Sequence, residues 1–70
     1  MKEHWVYDIP RSEWERLIDE WIFHEAHRQM LKRYLLDGRT YEQIAEEFDM
    51  STRHIARIIP QLKAQLFSHI

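Results

Sequence analysis

Cysteine is absent from this chain, glycine occurs once and proline twice among 70 residues. Without cysteine there is neither a disulfide framework nor a thiolate zinc site, so a scaffold this small has to rely on helix packing, and no redox compartment is indicated. No run approaches about 18 consecutive apolar residues, and the opening MKEHWVYDIPRSEW has no apolar signal-peptide core. A soluble, intracellular protein in the cytoplasm, with no membrane partner, is the expectation. Nothing reads as a strand, an internal repeat, a linker or a low-complexity segment.

An excess of positive charge is also missing. The formal net charge is -2, an unpromising total for a partner of nucleic acids, but the charges are segregated. Residues 1–26 carry three Lys/Arg against seven Asp/Glu, residues 27–39 four against one, residues 40–50 none against four, and residues 51–70 three against none. A docking polyanion feels the local field, and the last segment is purely basic.

The composition that remains is 44% hydrophobic and 13% aromatic with three Trp, too apolar for a disordered chain. Seventy residues allow a single domain, residues 1–70, which buries only about 60% of the surface its unfolded chain exposes; stability then needs a dense core or a partner. Ser12 with Glu15 three residues on reads as a capping box opening a first helix over Glu13–Phe23. Trp14, Leu17, Ile18, Trp21 and Ile22 share one of its faces, while Glu13, Glu15, Arg16, Asp19 and Glu20 cover the other. A second helix runs from about Glu25, with Met30, Leu31, Tyr34 and Leu35 inward, and stops at Asp37-Gly38. Residues 1–9 read as an extended arm packing Trp5 or Val6 on the bundle.

Thr40 with Gln43 is a second capping box and starts a short helix, Tyr41–Phe48, with Ile44, Ala45 and Phe48 inward. Ser51 caps a further helix whose buried stripe is Ile55, Ile58, Ile59, Leu62 and Leu66. Pro60 removes a helical hydrogen bond and predicts a kink or restart near Ile59. Between these two helices the spacing is that of a helix-turn-helix. Ala45 is the small fifth residue where the helices cross, Ile44, Phe48, Met50, Ile55 and Ile58 take the apolar positions, and Asp49 stands at the ninth, where the turn needs a positive φ that Asp tolerates.

LLDGRTYEQIAEEFDMSTRHIARII, preceded by HEAHRQMLKRY, resembles the fourth conserved region of bacterial RNA polymerase sigma factors, over about residues 22–67. The resemblance implies an all-α, compact four-helix domain, a three-helical bundle of the DNA-binding type with an extra N-terminal helix. Seventy residues leave no space for regions that hold polymerase and melt a promoter, so what it implies is a stand-alone sigma-like transcriptional regulator, bacterial or of the kind phage and mobile elements carry. In such a fold the second helix of the motif enters the major groove of double-stranded DNA with Ser51, Thr52, Arg53, His54 and Arg57 outward. The expected roles are base readout for Arg53, base or phosphate contact for Arg57, and phosphate contact for Thr52 and Ser51. Thr40 and Tyr41 resemble positions where the family touches the DNA backbone, and Arg39 and Lys63 add positioning contacts.

Each of these residues has a plainer reading. Arg53 and Arg57 on an arbitrary helix would be solvated charges, and His54 either reads a base or phosphate or stands by. His24 and His27 are an i, i+3 pair without a third ligand at suitable spacing, so no metal site or cofactor is expected. Glu13, Glu15, Asp19 and Glu20 form a solvated face with no nucleophile or phosphate loop beside them, so no enzyme is expected. Trp14 and Trp21 suit a core; the surplus of Trp in the first 21 residues suggests a homodimer through the first or last helix. The competing function is a protein-interaction module docking on RNA polymerase or on a sigma factor.

Overall fold

A computed structural model describes residues 9–69, which form four helices: α1 (Arg11–Trp21), α2 (Glu25–Leu35), α3 (Tyr41–Glu47) and α4 (Thr52–Phe67), with no strand among the described residues. The expected arm contact of Trp5 or Val6 lies outside them, although Ile9 does pack on the core. No helix among the described residues is long and apolar enough to cross a membrane.

Helix α4 is the spine. Its N-terminal half sends Ile55 and Ile59 against Met30 of α2 and Ile44 and Ala45 of α3, and its C-terminal half sends Leu62 and Leu66 against Trp14, Ile18 and Ile22 from the α1 segment and Leu31 of α2. Adjacent residues of α2, Met30 and Leu31, thus belong to different clusters, and the partly buried Ile58 packs on both. Every one of those core side chains is nearly inaccessible. The α1 cluster therefore braces the same helix whose other end forms the corner with α3.

Two local expectations fail at α1. The helix begins at Arg11, with Pro10 as its cap residue and no side-chain cap, so the Ser12–Glu15 capping box does not form. The Pro10 carbonyl already accepts the N–H groups of Glu13 (3.0 Å) and Trp14 (3.1 Å), which puts Ser12 inside the first turn. Glu15 instead accepts from Arg11 Nε at 3.2 Å. The helix also ends earlier than Phe23. Ile22 turns extended (φ -110°, ψ 115°) and buries its side chain, leaving Phe23 73% exposed. Arg28 caps this end from α2, donating to the Asp19 carbonyl at 2.8 Å and to that of Ile22.

Pro60 does not break α4, which runs from Thr52 to Phe67 without restarting. Pro60 and Ala56, whose carbonyl loses its helical donor, are both exposed, so that carbonyl is not forced into the core without a partner. Ile59 and Leu62 on either side are held in the core. Burial of the flanking residues opposes the break that a proline favours in an isolated helix.

Candidate nucleic-acid interface

The α3–α4 corner is built by side chains acting on exposed backbone. Thr40 Oγ1 accepts the Gln43 N–H at 3.1 Å while Gln43 Oε1 accepts the Thr40 N–H at 3.0 Å, the reciprocal box that starts α3. At the other end Asp49 takes φ 57°. Its N–H reaches the Glu46 carbonyl (3.4 Å) and the Met50 N–H reaches that of Ala45 (2.9 Å), closing the helix with a Schellman motif that has Asp where Gly is usual. Ser51 Oγ then accepts the His54 N–H at 3.1 Å and starts α4. Ala45 is buried at the crossing, as its position requires, and Ile44 and Ile55 are buried with it. Met50 departs from the apolar pattern: it is exposed, as the turn residue whose N–H closes α3 on the Ala45 carbonyl.

Ser51, Thr52, Arg53, His54 and Arg57 are all exposed on the first turns of α4. Arg39 and Thr40 are exposed at the entry to α3. Tyr41 is half-buried, its ring stacked on Tyr34 with centroids 5.3 Å apart. Lys63 is half-buried too, and its Nζ lies 5.3 Å from the centre of the Tyr34 ring. Tyr34 thus joins Tyr41 to Lys63, a link between residues of three helices that periodicity along one helix does not register.

Ion pairing sorts the cations. Arg11 pairs with Glu15 and Asp37, Arg16 with Glu13 and Glu20, Arg28 with Glu25, Lys32 with Asp19, and Arg33 with Glu47 and Asp37. Among the described residues, none of Arg39, Arg53 and Arg57 has a carboxylate within ion-pairing distance. Exposed pairs contribute little stability, but they cancel the field of the acidic face. What remains unpaired among the described cations lies at the entry to α3 and on the first turns of α4. The acids left over are Glu42, Glu46 and Asp49 at i, i+4 and i+7, a single outward stripe along α3 and its end.

Titration follows the same pairs. The guanidinium hydrogen bond of Arg11 holds the Asp37 carboxyl below its ordinary value, and that of Arg16 does the same for Glu13. His27 is lowered by partial burial and by the neighbouring imidazoles of His24 and His54. Among the described residues no polar or charged side chain is buried, and no three His, Cys, Asp or Glu gather as metal ligands. The rings of His24 and His27 stack at 4.5 Å.

Of the features above, the box at Thr40, the small residue at the crossing, the left-handed Asp49 and the cap at Ser51 define a helix-turn-helix. The family described as Sigma-70, region 4 matches residues 24–61, a little over half of the chain. Comparison with curated proteins and with solved structures gives no match.

Proposed function

This chain belongs to the sigma-70 region 4 family, a family of DNA-binding helix-turn-helix regions, and we propose that within it the chain acts as a sequence-specific, stand-alone transcriptional regulator. Helix α4 enters the major groove by its N-terminal turns. Arg53 reads a base edge, Arg57 contacts a base or a phosphate, His54 sits beside them, and Ser51 and Thr52 hold phosphate. Arg39, Thr40, Tyr41 and Lys63 position the backbone at the entry to α3.

The observation that supports this reading best is the sorting of cations. Each arginine of α1 and α2 is held by a carboxylate, while Arg39, Arg53 and Arg57 are left for an external anion. An acidic chain is compatible with a polyanion on those terms, since the acids of α1 are spent on Arg11, Arg16 and Lys32. The test is binding of the chain to a random pool of duplexes as salt is varied, because neutralised phosphates release counterions and make the affinity fall steeply with salt.

The second reading is docking on RNA polymerase or a sigma factor, and Phe23, 73% exposed between α1 and α2, favours it. Apolar docking through Phe23 would be nearly salt-independent. Self-association has less support. Of the surplus tryptophans, Trp14 is core, Trp21 stacks on His69 at 3.7 Å, and the exposed large apolar residues among those described are Phe23 and Met50.

A further inference from the structure

The first turn of α2 lies beside the first turns of α4. Ala26 and Met30 pack on the cluster that contains Ile55 and Ile59, which brings their sequence neighbours His27 and His54 to the same edge of the bundle. His24 completes the group: its ring stacks on that of His27 with centroids 4.5 Å apart and planes 27° from parallel. Two elements distant in sequence thus gather three imidazoles, and in the chain His54 directly follows Arg53 on α4.

The charged groups around them are accounted for. On α2, Glu25 accepts from Arg28 and from Gln29, and Arg28 is also bound to carbonyls at the end of α1. Asp19 of α1 is held by Lys32 at 3.0 Å. On α4 the neighbours are the cations Arg53 and Arg57, and at the corner Asp49 is exposed. Among the described residues no carboxylate pairs with any of the three rings, and the groups whose charge acts on His27 are the other two imidazoles. In the free protein, then, burial and the two neighbouring imidazoles both oppose a proton on His27. A phosphate arriving at this edge reverses the balance, because an imidazolium has two N–H donors and an anion to offset its charge.

We propose that His24, His27 and His54 form a proton-dependent contact for backbone phosphate, extending the DNA interface from the helix-turn-helix onto the start of α2, so that DNA binding takes up protons. The inference rests on the DNA-binding reading above. It assigns a role to α2 that the helix-turn-helix spacing does not contain, and makes affinity respond to pH in the range where histidine titrates.

The experiment uses the full chain and a labelled random-sequence duplex at low salt, at about pH 6 and about pH 8, with calorimetry near neutrality in two buffers of different ionisation enthalpy. The expected result is severalfold tighter binding at the lower pH, net proton uptake, and a salt slope steeper there by about 0.9 for each further phosphate neutralised. In His24→Gln/His27→Gln the two affinities converge and proton uptake falls. Because His27 is half-buried, the exposed His24→Gln alone is measured beside it and must move in the same direction. Binding that is independent of pH in the parent, or an equal pH response in both variants and the parent, overturns the cluster and leaves DNA binding standing. No binding at either pH overturns the DNA-binding reading itself.

Discussion

Tyr34 and Tyr41 stack across the chain reversal at Gly38, their ring centroids 5.3 Å apart and their planes 25° from parallel. With Lys63 over the Tyr34 ring, this fixes the end of α2, the start of α3 and the middle of α4 at one point, next to Thr40 and Arg39. Arg33 adds a second tie between α2 and α3, its Nε 3.0 Å from Glu47 Oε2. Tyr34→Ala is expected to cost about 0.5–1.5 kcal/mol beyond the lost apolar area. Urea unfolding reads that loss, and a stability equal to the parent's would show that the stack fixes nothing.

Asp49 is held in the left-handed region with φ 57°. Asp tolerates that conformation only in part, so Asp49→Gly is expected to gain stability, by about 0.5–1 kcal/mol, and Asp49→Ala to lose it. The denaturation midpoints of the pair, relative to the parent, check the sign. A lower midpoint for the glycine variant would mean that the Asp side chain stabilises the turn by more than the backbone strain costs.

Ser51 is the cap of α4, and its Oγ accepts the His54 N–H. Removing it in Ser51→Ala is expected to cost about 1 kcal/mol. If Ser51 also holds a phosphate, DNA affinity drops further than stability explains, which a binding isotherm at a temperature well below unfolding measures.

These local devices were legible because each is chemistry between near neighbours in the chain: Thr40 with Gln43, Ser51 with His54, Ala45 at the crossing. Ser12 and Glu15 carry the same signature yet form no box, since the carbonyl of Pro10 takes the N–H groups of that turn first. The restart expected at Pro60 does not occur, for the opposite reason. The effect of a proline on an isolated helix is local, whereas the burial of Ile59 and Leu62 that holds α4 together is tertiary. The approach of His27 to His54, the split of Met30 and Leu31 between two clusters and the bridging role of Tyr34 all depend on how α2 crosses α4, which no single-helix period contains.

His27 gives the fold a pH dependence of known sign. Its proton affinity is lower in the folded state than the ordinary value of 6.5, through partial burial and then the charges of His24 and His54. The unfolded chain therefore binds more protons just below that value, and stability falls as pH drops through this window. Asp37, lowered by Arg11 from 3.8, adds a second loss only in stronger acid. The stability of the parent should fall relative to that of His27→Gln as pH drops through the window, and the two profiles should run parallel above it. Profiles that stay parallel through the window would remove His27 as the cause.

Arg53→Ala is expected to weaken binding to a selected site by about 1–3 kcal/mol and to relax preference at one position, as loss of a bidentate base contact does. Arg39→Ala should weaken all duplexes alike and lower the salt slope by about 1. Competition between selected and random duplexes separates the two, and an equal loss on every sequence would reassign Arg53 to phosphate.

The most direct measurement for the central claim is selection from a random duplex pool by the purified chain at a low and a moderate salt concentration, with the bound fraction sequenced. A recovered motif whose binding falls steeply with salt is the predicted result, and a palindromic one adds a dimer. No enrichment at low salt would contradict sequence-specific DNA binding by this chain and turn the exposed Phe23 toward a polymerase or sigma partner.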